Sequence, residues 1–258
     1  MTGAAPPAVA PAAELRVVTR AEEVDGLRIG DLSDFFNPFL PLFMKEALRC
    51  GGEVCTVGAD REVSGLFLYH DVEKEASIFT RDRRIAEALF GHRGQVAVFS
   101  DFELAPGAEA YDIYAADHPA WRSSHRFAHP VRAAEPADGA AVVDLMREVY
   151  GRVDERWLGA VPSGPDRCFV ADGAGELAGA GWVAVANGHG RLHSLTVRPR
   201  YRRSGVGKDL FHARVQWTRH VGAVRVISEI STRNAESRGL AEWGGMRPVG
   251  RIYRSARP

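Results

Sequence analysis

Cysteine is scarce in this chain: Cys50, Cys55 and Cys168 are three among 258 residues. So small and odd a set implies no disulfide framework and points to a reducing compartment, making the cytoplasm the expected location. Net charge is absent as well, because 33 basic side chains balance 33 acidic ones. A neutral chain disfavours nucleic acid as a partner, since such binding feeds on positive charge. No run approaches the roughly 20 apolar residues of a membrane span. The opening MTGAAPPAVAPAA lacks both a basic start and a strong apolar stretch, so neither export nor a membrane anchor is expected. Its Ala/Pro bias offers little to bury, and residues 1–13 read as a disordered tail.

What is present is a globular composition, 45% hydrophobic and 26% charged, long enough for two modest domains. The neutral total hides an asymmetry. Residues 1–130 carry 13 Lys/Arg against 20 Asp/Glu, and residues 131–258 carry 20 against 13. Composition shifts near 118–136, where HPAWRSSHRFAHPVRAAEP holds three prolines, each of which discourages helix before it. This stretch reads as a connector between an N-terminal α/β domain, 14–130, and a second domain, 131–258. His118, His125 and His129 within it have no thiol or carboxylate at ligand spacing, and Cys50 and Cys55 flank GGEV at a spacing unlike known metal sites. No metal is expected.

After Val131 the pattern is readable. VRAA is a short strand, and DGAAVVDLMREVYG sets Ala141, Val142, Leu145, Met146 and Val149 at helical spacing. CFVAD and ELAGAGWVAVA flank a GAG turn as a hairpin, and RLHSLTV adds a third strand. KDLFHARVQWTRHVG is a helix with an apolar stripe of Leu210, Phe211, Val215 and Trp217; AVRVISEIS is a β-branched strand; NAESRGLAEW is a helix that Asn234 can cap. The first half repeats this rhythm in PFLPLFMKEALRCGG, EVCTVGA, VSGLFLYHDV, EASIFT, RDRRIAEALF and QVAVFSDF. It has no glycine loop between EASIFT and the following helix. The expected class is α/β, a mainly antiparallel mixed sheet flanked by helices, in two tandem domains.

The chemistry is concentrated in RLHSLTVRPRYRRSGVGKDL. Gly205 and Gly207 sit where a strand has ended and a helix begins, so backbone N–H groups can converge there beside the helix's own unpaired amides and positive dipole end. That makes an anion cup, to which Arg198, Arg200, Arg202 and Arg203 add bidentate donors for phosphate. A Walker loop fails twice, because its first glycine position is Arg202 and Lys208 is followed by Asp209. A dinucleotide fingerprint fails at Leu210, where a third glycine belongs. The arginines have no interleaved aromatics beyond Tyr201, which argues against a nucleic-acid patch.

Arg202 to Gly207, R-R-S-G-V-G, matches the [Q/R]-x-x-G-x-[G/A] signature of the GNAT (Gcn5-related) N-acetyltransferases, between that family's fourth strand and third helix. Asn234, Ser237, Leu240 and Gly245 are similarly in register with its N-x-x-[A/S]-x-x-L-(Y)-x-x-x-G segment. The resemblance covers about residues 131–254 and implies transfer of an acetyl group from acetyl-CoA, as cosubstrate, to a small-molecule or peptide amine. It implies that Leu195, Thr196 and Val197 pair with the pantetheine arm, that the pyrophosphate meets the backbone of Arg203, Ser204, Gly205, Val206, Gly207 and Lys208 with Arg202 nearby, and that Asn234 faces the pantetheine side.

An attacking amine must lose a proton, and an imidazole of near-neutral pKa suits the task. L-H-S-L-T-V resembles the L-H-x-L-x-V strand of serotonin-type acetyltransferases, which makes His193 the expected base. The second histidine of that strand falls at Arg191, and a histidine merely packed on a strand fits the pattern equally. Glu229 is the alternative base. The tyrosine that follows the leucine of the last helix in many relatives is Ala241 here, so Tyr253 is taken as the proton donor, with Tyr201 and Ser237 as stand-ins. The same gap allows a noncatalytic acyl-CoA-binding or regulatory protein as the alternative reading. The acceptor is not identified, and the oligomeric state stays open, a homodimer included.

Overall fold

Runs of β-branched and aromatic residues separated by turn residues dominate the chain, and the computed structural model pairs most of them into sheet. The described residues are 14–71, 74–92, 96–117, 125–151 and 166–256, the side chain of Asp166 excepted. The N-terminal tail, His118 and Trp157 lie outside them. The chain divides into two units, one ending at Leu104 and the other running from Ala105 to Ala256.

In the first unit the strands are β1 (Glu14–Val18), β2 (Arg28–Ile29), β3 (Glu53–Ala59), β4 (Glu62–His70), β5 (Glu75–Thr80) and β6 (Ala97–Ser100). They run in the order β1-β3-β4-β5-β6, with β2 lying parallel on β4. A short helix α1 (Ala21–Val24) precedes α2 (Leu40–Arg49), which buries Leu40, Phe43, Met44 and Ala47, one face at helical spacing. Phe43 stacks with Phe39 and Phe79 and meets Phe36 at a tilt. Helix α3 (Arg83–Phe90) buries Ala86 and Leu89 against Cys55, Phe67 and Ile78 of the sheet.

The second unit contains β7 (Glu109–Asp117), β8 (Val131–Ala133), α4 (Gly139–Tyr150), β9 (Asp166–Asp172), β10 (Leu177–Ala186), β11 (His189–Val197), α5 (Val206–His220), β12 (Arg225–Ser231), α6 (Ala235–Trp243) and β13 (Arg247–Ser255). Its strand order is β8-β9-β10-β11-β12-β7-β13, antiparallel except where β11 meets β12. The division of the chain falls earlier than the composition suggested. Strand β7 pairs along its length with both β12 and β13, so Glu109–Asp117 belong to the sheet of the second unit.

Two cores sandwich that sheet. Val206, Leu210, Phe211 and Val215 of α5 pack on Ala171, Val183 and Leu192, while Val142, Leu145 and Met146 of α4 pack on Val170, Ala180 and Trp182. Sheet residues alternate between the two clusters, as the period of a strand requires. That alternation makes any break in it easy to see, and β11 has one.

Candidate functional site

Leu192 stands opposite Val183 on the α5 side, and His193 opposite Trp182 on the α4 side. The register then shifts: Thr196 faces Ala180, so Ser194 and Leu195 together oppose Gly181. Ser194 is the inserted residue, with φ of +50°, and this β-bulge reverses the alternation beyond it. Leu195 and Val197 therefore face the α5 core, and Thr196 turns to α4, where its hydroxyl lies 3.3 Å from both the Met146 sulfur and the Tyr150 hydroxyl.

The other edge of β11 opens at the same level. Its parallel pairing with β12 covers only His189–Arg191 against Arg225–Ile227. One residue further the Ser228 hydroxyl, instead of backbone, donates to the Leu192 carbonyl at 2.8 Å. Beyond that level the pairing ends, so among the described residues Leu195, Thr196 and Val197 have no strand partner on the β12 edge of β11. Arg214, fully buried on α5, holds the bulge from beneath, donating to the carbonyls of Trp182 at 3.1 Å and His193 at 3.2 Å. Burial pushes its pKa down to about 10.

The unpaired edge of β11 leads to the turn before α5. Arg203 has φ of +65° and Gly205 of +102°, two left-handed residues in a row of three that swing successive amides toward one side. Gly205 is the N-cap of α5 and no side chain caps that helix, so the amides of Val206, Gly207 and Lys208 lack helical partners. A Cβ at Gly207 would meet Leu240 at 3.7 Å and Val197 at 3.9 Å, ordinary contact distances. Lys208 lies over the Trp243 ring at 4.8 Å, and Ser204 donates to the Tyr201 carbonyl at 2.7 Å.

The four arginines divide. Arg198 is buried, bound to Glu148 of α4 and donating to the Leu177 carbonyl at 2.7 Å; Arg200 is bound to Glu176, which holds its pKa above and that of Glu176 below their usual values. Both are engaged in structural pairs, so the expectation that they serve phosphate is corrected. Among the described residues Arg202 reaches only the Val197 carbonyl, at 3.4 Å, and Arg203 is exposed, 3.6 Å from Glu236. Asn234 caps α6, accepting from the Ser237 amide at 3.0 Å.

Among the candidates for proton transfer, His193 lies beside the bulge, its Nδ1 3.1 Å from the Ser194 hydroxyl. Glu229 is joined to Arg191 at 2.6 Å, and Arg191 shares the α4 face of β11 with His193. Tyr253 is not brought to them. It pairs with Ala110, and β7 stands between its strand and β12. Tyr201 packs over Gly173 and donates to Glu176, a structural role, while Ala241 is buried in the α5 core. The phenol that does reach β11 is Tyr150, half exposed at the end of α4, and no motif or spacing singles it out.

Behind the turn, Asp209 of α5 is fully buried. It accepts from the Ala128 and His129 amides at 3.3 and 3.0 Å and meets His125 Nε2 at 2.6 Å and His129 Nδ1 at 2.9 Å. His129 Nε2 in turn lies 3.4 Å from the Ser204 hydroxyl. The connector histidines thus fasten the approach to β8 onto the glycine turn.

The first unit repeats the short parallel pairing but not the anion cup. Its β5 and β6 pair in parallel only over Glu75–Ser77 and Ala97–Phe99. Helix α3 is capped by Asp82, which accepts from the Arg84 amide at 2.8 Å, and the preceding Arg81 is clasped by Asp31 and Asp34. A carboxylate occupies the place where an anion would sit, and that repels phosphate.

Comparison with known proteins agrees with this anatomy. Residues 110–244 match the family model described as Acetyltransferase (GNAT) family. No curated protein sequence matches the chain. A tandem GNAT protein from the clavulanic acid biosynthesis pathway, solved without AcCoA, is 16% identical with a TM-score of 0.61, over 95% of this chain and 99% of that one. An acetyltransferase from the GNAT family of Colwellia psychrerythraea is 12% identical with a TM-score of 0.60, over 95% and 100%. A GCN5-related N-acetyltransferase from Sphaerobacter thermophilus is 18% identical with a TM-score of 0.57, over 83% and 85%. At these identities the likeness is one of fold, and its reach over nearly the whole chain extends the two-domain, mainly antiparallel architecture to both units. No described helix is long and apolar enough to cross a membrane.

Proposed function

Because the chain belongs to the acetyltransferase (GNAT) family, whose model spans residues 110–244, we propose that its second unit moves an acetyl group from acetyl-CoA to a primary amine by direct attack within a ternary complex. The observation that carries this reading is the continuity of the unpaired β11 edge beyond Arg191 with the uncapped, left-handed turn at Gly205. An extended, amide-bearing arm ending in a diphosphate fits that combination of a free strand edge and converging N–H groups.

In this reading Leu195, Thr196 and Val197 offer the strand edge to the pantetheine arm, and Asn234 borders the same channel. The amides of Arg203, Ser204, Gly205, Val206, Gly207 and Lys208 hold the diphosphate, with the Arg202 and Arg203 side chains adding charge. Acetyl-CoA supplies the acyl group as a thioester, already activated toward nitrogen. His193, whose Nδ1 lies 3.1 Å from the Ser194 hydroxyl, takes the proton of the amine. Glu229 is engaged with the Arg191 guanidinium at 2.6 Å, so the base role falls to His193. The Tyr150 hydroxyl replaces Tyr253 as the donor to the departing thiolate, because it reaches the bulged strand and Tyr253 does not. Holding thioester and amine together accounts for much of the acceleration.

Purified protein given acetyl-CoA and a broad panel of amines and peptides is expected to release free thiol. His193→Ala should lower kcat by about 10²–10⁴-fold, the range for a lost general base. Absence of amine-dependent thiol release across the panel would overturn the transferase reading. Ala241 in place of the usual tyrosine favours one other reading, a noncatalytic acyl-CoA-binding protein. Calorimetric CoA binding that is indifferent to His193→Ala, without turnover, would establish it.

A further inference from the structure

The first unit holds a second cluster of reactive side chains, remote in sequence from the glycine turn and the proton-transfer candidates. Glu53 and Cys55 are two apart on β3 and so share one face, opposite Tyr69 and Phe67 of β4. His92 follows α3 in a turn, and its ring meets Phe67 edge-on at 5.1 Å. The three converge: Cys55 Sγ lies 3.3 Å from Glu53 Oε1 and 3.4 Å from His92 Nε2, and that Nε2 lies 2.9 Å from the same Oε1.

We propose that Glu53, Cys55 and His92 form a binding site for a divalent zinc-class cation, with solvent water as a fourth ligand. Zinc bonds of about 2.3 Å to sulfur and about 2.0–2.2 Å to imidazole nitrogen and carboxylate oxygen give tetrahedral edges of about 3.3–3.6 Å between ligand atoms. The observed triangle, 2.9 to 3.4 Å on a side, is within a few tenths of an ångström of that face. Its donors are also chemically selective. One thiolate sulfur, one imidazole and one carboxylate suit a borderline-soft ion and not magnesium or calcium, which take oxygen.

Charge and access agree. Binding expels the thiol proton and shifts the imidazole proton to Nδ1, so that thiolate and carboxylate neutralise the dication. No electron moves. Cys55 is fully buried, where a bare thiolate would be costly. Glu53 and His92 are 26% and 24% exposed, which gives the ion a solvent-facing side and room for water. The bound ion would staple β3 to the turn after α3, joining residues that only side chains connect. This inference is independent of acyl transfer and concerns the unit without the glycine turn.

The test uses the full-length protein, stripped by a chelator and titrated with Co²⁺ and then Zn²⁺. One Co²⁺ per chain is expected, with a thiolate charge-transfer band and the visible bands of a tetrahedral ion, both lost on adding Zn²⁺. His92→Gln and Cys55→Ser should each weaken binding by about 10–100-fold or more. Zn²⁺ should raise the Tm of the wild-type chain by several degrees and leave both variants unmoved. His92→Gln removes a partly exposed ring, so the test stands even where Cys55→Ser fails to fold. A wild-type chain that shows no such band at stoichiometric Co²⁺ overturns the proposal. So does a thiolate band that survives at full strength in His92→Gln, which would mean that the ion sits on a cysteine without this imidazole.

Discussion

The guanidinium of Arg214 donates to the main-chain carbonyl of His193 at 3.2 Å, and with its bond to the Trp182 carbonyl it closes the space under the bulge at Ser194. A fully buried cation stabilised by carbonyls, with no carboxylate paired to it among the described residues, is costly. What it secures is the backbone position from which His193 faces one way and Leu195 the other.

Arg214→Met is therefore expected to keep most of the packing volume while removing the guanidinium's hydrogen bonds to the Trp182 and His193 carbonyls, at a cost of about 2 kcal/mol in urea unfolding. Activity should suffer beyond that loss. With the enzyme still folded, kcat/KM should fall at least tenfold, because the carbonyl of the proposed base is no longer held. Unchanged kinetics in a destabilised protein would reduce Arg214 to a core residue.

The two glycines of the turn are not equivalent. At Gly205, φ of +102° is a conformation that side chains rarely adopt, and Gly205→Ala should cost about 1–2 kcal/mol and raise the KM for acetyl-CoA roughly tenfold by twisting the amides away. Gly207 is helical, and its added methyl would find only ordinary contacts with Leu240 and Val197. Gly207→Ala should leave stability within about 0.5 kcal/mol of wild type, with any loss confined to KM. Equal effects at both positions would contradict the conformational argument.

How much of this was legible beforehand depends on range. The glycine turn, α5 and the Asn234 cap are written in neighbouring residues, and each was readable. Strand β7 was not, because EAYDIYAAD has a weak alternation and its place is set by β12 and β13, more than a hundred residues later. The bulge at Ser194 depends on an arginine on the next helix, and the fate of Arg198 and Arg200 on Glu148 and Glu176. The His125–His129–Asp209 cluster fails any spacing rule because its carboxylate lies some eighty residues away.

That carboxylate yields a pH prediction. Burial alone would raise the pKa of Asp209, but His125, His129 and the amides of Ala128 and His129 together hold it below the ordinary value. A carboxyl lowered in the folded state contributes stability that is complete above its unfolded pKa and disappears as pH falls through the folded one. Asp209→Asn should therefore cost about 3 kcal/mol at pH 7. The gap to wild type should narrow below about pH 4, the unfolded aspartate range. CoA binding should weaken too, since His129 would lose the partner that aims its ring at Ser204.

Asp101, just past β6, has the opposite sign. It is largely buried, its Oδ2 accepts no hydrogen bond from the described residues, and burial, countered by Ser33 and Arg81 and aided by Asp34, pushes its pKa up to about 6. A carboxyl raised in the folded state stabilises fully below its unfolded pKa, and that contribution is lost as pH climbs through the folded value. Wild-type stability should accordingly fall between about pH 4 and pH 6 through this residue, by about 1–2 kcal/mol after allowance for partial solvation. Asp101→Asn removes the ionisation while keeping a similar shape, so chemical denaturation at pH 8 should find it more stable than wild type by that amount. At pH 4 the two should coincide. A variant no more stable than wild type at pH 8 would mean that the carboxylate has found solvation the folded unit does not display.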